Sequence, residues 1–259
     1  MKKKMKFKES QLIVPVLRWM VHALPVEPTR RRHRCTNYVR ELPICWGQIQ
    51  RLKIEAPQPL NVFDFLSLLT VSRLALVNQQ QLKDGGTFGS RKAYLLTVSR
   101  YRFIKERHLP ASGASYPLAL ESLSRLANAT WTYYLPQPTK IKIILCFKEE
   151  TGKWLLFINK KYVDLLQTSK DVLKIDLCPV YKCSSDIGRL LCIWLQGQKG
   201  HSFSETTLIH ALHLFYSRKQ NARIKIRQAF SDVQQRGGLI KTWEEVRKDH
   251  EIYFRFTRS

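Results

Sequence analysis

Apolar residues recur at helical spacing in two regions of this chain, and each region runs on into an alternating stretch. In the C-terminal region Ile187, Leu190, Leu191, Trp194 and Leu195 fall at i, i+3, i+4, i+7 and i+8, which is one helical stripe. Ser184 and Ser185 offer N-caps before it, and Gly197 offers a stop after it. Ser202-Phe203-Ser204-Glu205 has capping-box spacing ahead of Leu208, Leu212 and Phe215. Ser217 to Arg236 predicts a third helix. Ala222, Ile226, Ala229, Phe230 and Val233 gather on one side of it. Gln220, Asn221, Arg227, Gln228, Ser231 and Gln235 gather on the other, with Ile224 as an apolar intruder, and Arg223 and Lys225 flank the apolar side. Gly237-Gly238 ends this helix, and Leu239 to Phe256 alternates as a β-ribbon turning around Val246 to His250.

The N-terminal region has the same grammar. Pro57 and Pro59 mark a boundary, and Asn61 is a candidate cap for a helix over Leu60 to Gln81, with Val62, Phe65, Leu66, Leu69 and Leu76 inward. Lys83 to Ser90, with three glycines, predicts a loop or hairpin tip. It lacks the Gly-Lys-Ser/Thr ending of a nucleotide-binding loop. Tyr94 to Phe103 is strand-like, and Ser112-Gly113 starts a turn. Leu118 to Thr130 predicts a second polar-faced helix, with Ser124, Arg125 and Asn128 outward. Thr139 to Phe147 and Trp154 to Ile158 flank a Gly-containing turn as a hairpin. A short helix over Tyr162 to Gln167 and an extended stretch over Leu173 to Tyr181 connect the regions. Residues 1–56 predict an irregular or weakly helical basic extension of unassigned fold, followed by domains at 57–168 and 169–259.

Charge changes the picture. The chain of 259 residues carries 44 Lys+Arg against 20 Asp+Glu, a formal net charge of +24, with the basic residues spread along its length. Repulsion of that size favours a polyanionic partner: nucleic acid first, an acidic membrane surface second. The 44% hydrophobic content supports a folded core rather than a disordered tail. The apolar run after the N-terminal lysines is broken by Pro15, Arg18 and His22, which argues against a secretory leader, and no membrane span is expected. The six cysteines (Cys35, Cys45, Cys146, Cys178, Cys183 and Cys192) form no dense disulfide pattern and suit reduced thiols in a cytoplasm. Cys146 and Cys192 lie in apolar runs, as small core residues do. Cys178 and Cys183 lack a second ligand pair at finger spacing, so no metal and no cofactor are expected.

An exposed helical face of Arg, Asn, Gln and Ser carries the donors and acceptors that read base edges. Arginine suits guanine O6/N7, and asparagine or glutamine suits adenine N6/N7. The bland alternative is an amphipathic surface helix with solvated charges. A helix, a polar-faced helix and a basic hairpin, in that order and occurring twice, predict an α+β fold of two tandem winged-helix domains, each a helix-turn-helix with a β-hairpin wing. The two regions share architecture without a repeat of residues.

Several stretches also resemble a known family. Ser184 to Leu191 with Trp194-Leu195, Ser204 with Thr207-Leu208, Arg223 to Phe230, Gly237-Gly238 and Ile252 to Arg255 resemble the C-terminal half of plasmid replication initiators. The likeness is to the RepC-type, iteron-binding initiators of IncQ-like plasmids. Pro59-Leu60 with Asp64 to Leu66, and Tyr116 to Trp131, resemble pieces of their N-terminal half. Ile224 and Ile226 interrupt a recognition helix that is more densely basic in that family. The resemblance implies binding to tandem origin repeats and opening of the duplex for a replicative helicase, in a bacterial cytoplasm, without catalysis.

The residues expected to touch double-stranded origin DNA are Arg218, Lys219, Asn221, Arg223, Lys225, Arg227, Gln228, Ser231 and Lys248 in the second region. In the first they are Arg100, Arg102, Ser124, Arg125, Asn128, Lys140, Lys142 and Lys153. The basic run Arg30 to Arg34 is a further arm able to reach phosphate. A dimer is open. So are two rivals: a transcriptional repressor with the same domains, and a nicking enzyme whose nearest metal motif would be His210-Ala211-Leu212-His213. An RNA-binding role lacks its usual stacked aromatic strands or Gly-x-x-Gly clamp.

Overall fold

The computed structural model describes residues 12–24, 26, 38–46, 49–78, 82–135 and 137–259. The described elements start with β1 (Ile13–Leu17), α1 (Arg18–Ala23), β2 (Tyr38–Trp46) and β3 (Ile49–Ala56). Then come α2 (Val62–Val77), β4 (Lys83–Phe88), β5 (Arg91–Ser99), α3 (Arg100–Glu106) and α4 (Ser115–Ala127). Four strands follow: β6 (Thr130–Leu135), β7 (Gln137–Ile141), β8 (Ile144–Glu150) and β9 (Lys153–Asn159). The connection holds α5 (Lys160–Thr168), β10 (Val172–Asp176) and α6 (Leu177–Lys182). The last part is α7 (Asp186–Gln196), β11 (Ser202–Ser204), α8 (Glu205–Ala211), α9 (Lys219–Asp232) with a π-helical turn (Val233–Gly237), β12 (Ile240–Lys248) and β13 (Glu251–Arg258).

The two halves share one topology. In each, a helix (α2 or α7) precedes a strand (β5 or β11), a helix pair (α3–α4 or α8–α9) and a final antiparallel hairpin (β8–β9 or β12–β13). The strand before the helix pair bonds to the last strand, which bonds to the one before it: β5-β9-β8 and β11-β13-β12. The first half extends this sheet with β4 and inserts β6 and β7, which join β2 and β3 in a second sheet of order β2-β3-β6-β7.

Local chemistry sets the helix starts. The Asn61 side chain accepts from the Asp64 amide while the Asp64 carboxylate accepts from the Asn61 amide, a reciprocal cap on α2. Ser185 caps α7 through the Gly188 amide. The expected cap of α8 sits two residues later than its spacing suggested: Ser202–Ser204 is a strand, and Ser204 accepts from the Thr207 amide. Two strand expectations were too long for the same kind of reason. Tyr94 to Phe103 turns helical after Ser99, whose hydroxyl caps Arg102, and Leu173 to Tyr181 turns helical after Asp176, which caps Cys178. Thr139 to Phe147 divides at Lys142 and Ile143 into β7 and β8, which belong to different sheets.

Residues 1–56 require the largest correction. Residues 1–11 and 27–37, including the Arg30 to Arg34 arm and Cys35, lie outside the described residues, as do Gln79 to Gln81 of the expected first helix. What is described is built into the fold. β1 pairs with β10 in register Ile13↔Asp176 to Leu17↔Val172, and Val14 and Val16 are fully buried. β2 and β3 form half of the second sheet.

One hydrophobic core runs through both halves. At its centre lies α2, buried on nearly every side from Val62 to Leu76 rather than on one stripe. A helix apolar all round belongs inside a protein. Its polar residues find partners: Ser72 meets the Tyr162 hydroxyl at 2.8 Å, and Thr70 lies 3.5 Å from that of Tyr181. Tyr181 of α6 also stacks on His108 at 4.6 Å between ring centroids. Buried Arg107 lies over Phe63 and Tyr181 at 4.5 and 5.7 Å.

Candidate nucleic-acid interface

The periodicity of α9 holds in three dimensions. Ala222, Ile226, Ala229, Phe230 and Val233 are buried, and Phe230 meets Phe254, Trp243 and Phe256 with centroids 5.3, 5.5 and 6.0 Å apart. That aromatic cluster clamps the helix onto the β12–β13 hairpin and turns the opposite face outward. Arg218, Lys219, Gln220, Asn221, Ile224, Lys225, Arg227 and Gln228 are exposed, and Ser231 is half-buried. Lys248 is exposed at the hairpin tip, where Asp249 and His250 adopt left-handed backbone, with φ of 49° and 64°.

Two arginines of α9 are already engaged. Arg227 donates from Nε and Nη2 to Glu245 of β12 at 2.5 and 2.7 Å. Arg223 donates in the same two-pronged way to Glu205 of α8 at 2.8 and 3.0 Å. Lys225 reaches the Gln228 side-chain oxygen at 3.1 Å. The Arg227 hydrogen bond holds the Glu245 carboxyl below the usual carboxylate range, against the opposing effect of burial. Both carboxylates present two oxygens to a guanidinium, the same fork geometry that guanine offers through O6 and N7.

The first half carries the expected residues less uniformly. Ser124 and Asn128 are exposed on α4, but the Asn128 amide donates to the Ser124 carbonyl at 3.0 Å and closes the helix end. Arg125 is part-buried against α2. It donates from Nε and Nη2 to the buried Asp64 carboxylate at 2.9–3.1 Å, which ties α4 to the start of α2. Arg100 and Arg102 belong to α3 rather than to a strand. Arg100 pairs with Glu149 at 2.9 Å beside the β8–β9 turn, where Lys153 is exposed. Lys142 is half-buried between β7 and β8. Lys140 joins four cations that the sequence pattern did not flag: Arg91, Lys92, Lys160 and Lys161 line one cleft with it. They come from a hairpin tip, a strand and a helix start, so only folding brings them together.

Among the described residues no group of three or more His, Cys, Asp or Glu could hold a metal ion. The two histidines of the motif suspected for nicking both lie against Phe215, with centroids 5.4 Å away for His210 and 6.3 Å for His213, and His213 Nε2 lies 2.9 Å from the Leu24 carbonyl oxygen. Cys183 and Cys192 are buried, and Cys146 and Cys178 are part-buried free thiols. No described helix is long and apolar enough to cross a membrane.

Comparison with known proteins gives a fold without a family. No family model matches the sequence, and no curated protein does. Solved structures do match. Domains 2 and 3 of RctB superpose with a TM-score of 0.63 at 12% identity, over 94% of this chain and 98% of that one. A second RctB structure of domains 2–3 gives 0.58 at 10% identity, over 92% and 96%. A Pi initiator protein in complex with iteron DNA gives 0.52 at 11% identity, over 76% of this chain and 93% of that one. The chain therefore shares its fold with the RctB domains along nearly its whole length and with the Pi protein along about three quarters of it.

Proposed function

We propose that this chain is a sequence-specific, double-stranded-DNA-binding replication initiator of the RepC-type class, acting on tandem repeats at a plasmid origin. The observation that carries the reading is the shared fold with an initiator solved on iteron DNA, over three quarters of this chain. The polar face of α9 and the +24 charge agree with it. In this reading both halves are winged helices: β8–β9 and β12–β13 are the wings, α9 is the principal reader in a major groove, and the second unit occupies the neighbouring groove about one helical turn away. A recognised repeat of roughly 20 base pairs follows. Lys219, Lys225 and Lys248 meet phosphate, while Arg227, Gln228 and Asn221 face base edges. The protein works without catalysis in a bacterial cytoplasm. It hands the opened origin to a replicative helicase, alone or as a dimer.

The test is selection of bound duplexes from random DNA followed by footprinting of the winner. A site protected over two turns and matching a tandem array supports initiation. A single palindrome points to a repressor, and indifference to sequence refutes the reading.

A further inference from the structure

Arg91 and Lys92 follow the two-residue turn between β4 and β5, Lys140 lies on β7, and Lys160 and Lys161 open α5. These five cations face one cleft with a single carboxylate, that of Asp164. None of the five makes an ion pair among the described residues, and four are exposed. The arginines of the helix pairs are the opposite case: Arg125, Arg223 and Arg227 each carry a carboxylate partner.

The cleft is also a built feature. Asn159 is 6% exposed, donates to the Lys142 carbonyl and accepts from the Lys161 amide, both at 3.0 Å, so one side chain locks the β7–β8 junction to the start of α5. Lys160 is steadied over the Tyr94 ring, its Nζ 5.3 Å from the centroid. Two lysines at a helix start, with no acidic residue in the first turn, oppose the helix dipole. Local stability does not explain that choice. An anion seated in the cleft would reverse every one of these repulsions at once.

We propose that this cleft is a second, sequence-independent DNA site that grips the phosphate backbone away from the base-reading face of α9. It rests on the DNA-binding reading above and extends it with Arg91, Lys92, Lys140, Lys160 and Lys161. A duplex backbone fits better than a lipid surface. The cations line a concavity rather than a flat face, and Leu165 is the one apolar side chain among the residues lining it.

The experiment compares the full chain with Arg91→Gln/Lys92→Gln/Lys161→Gln. These side chains are exposed and unbonded among the described residues, so the fold should survive. A control, Lys174→Gln/Lys182→Gln/Lys199→Gln, removes the same charge elsewhere from exposed positions. Binding to the selected duplex is titrated at several salt concentrations. The cleft variant should flatten the slope of log affinity against log salt by about 0.9 for each lost contact, some two to three in all, with base preference unchanged. The control should change it by less than one. Equal slopes for the cleft variant and the control overturn the proposal, as does a variant that loses only its adsorption to phosphatidylserine vesicles. If the unaltered chain binds no duplex at all, the initiator reading falls and this site falls with it.

Discussion

Arg227 shows what a single side chain contributes and what opposes it. Half-exposed, it is held by a carboxylate with which it forms a pair worth no more than about 1 kcal/mol in solvent. DNA can displace such a partner. Arg227→Ala should therefore cost about 1–3 kcal/mol of discrimination at one base position, read by competition among single-base variants of the site. Glu245→Gln should act in the other direction. It removes the competing charge, so affinity for random DNA rises more than affinity for the selected site, and the ratio of the two falls. If neither affinity moves, Glu245 does not guard the arginine. The α9 face was legible in the sequence because its residue types repeat with the helical period. Its ion pairs were not, because Glu205 and Glu245 each stand 18 positions from their arginines. The Arg125 pair was hidden for the same reason: its carboxylate is 61 residues earlier.

Between elements, one joint is Asp232 at the end of α9. Its carboxylate accepts from the amides and hydroxyls of both Ser184 and Ser185 at 2.7–3.0 Å, just where α7 begins. Gly188 makes room for this: a Cβ there would sit on Asp232 Oδ2 and the Ser185 hydroxyl. Burial pushes the Asp232 carboxyl up, but the four hydrogen bonds outweigh it and leave it below its ordinary value. Its stabilisation is thus complete above the ordinary aspartate range, near pH 4, and lost as pH falls through the lowered value. Asp232→Ala should cost roughly 2–3 kcal/mol at neutral pH, measured by denaturant unfolding, and should weaken the acid sensitivity of the remaining stability. Long periodic helices such as α7 and α9 could be placed from sequence. The missed boundaries at Ser99, Asp176 and Ser204 are all strand-to-helix switches made by one capping side chain, which hydrophobic periodicity does not register.

At the scale of the whole molecule, the two halves are one body. They share α2, the Arg107–Tyr181–His108 stack and the β1–β10 pair. The repeated architecture was legible because hydrophobic patterning recurs in each half. The integration of β1 and of the β2–β3 pair was not, since the partners they need, β10 and β6, stand far along the chain and leave no local mark. Removing residues 1–17 strips Val14, Val16 and Leu17 from the core, each worth up to about 1.5–3 kcal/mol. Against a total stability of roughly 5–15 kcal/mol, the shortened chain should melt far lower than the full one or fail to fold, as calorimetry would show. A dispensable arm would leave the melting temperature unmoved.

The β1–β10 pairing also governs how the protein comes into being. Ile13 leaves the ribosome well before its mate Asp176, which emerges only after both intervening sheets have been made. β1 must therefore wait for its strand partner until the linker between the halves is synthesised. Closure over so long a loop is slow. Maturation of the nascent chain should thus lag behind assembly of its first helices, and that interval is when it is most exposed to proteolysis.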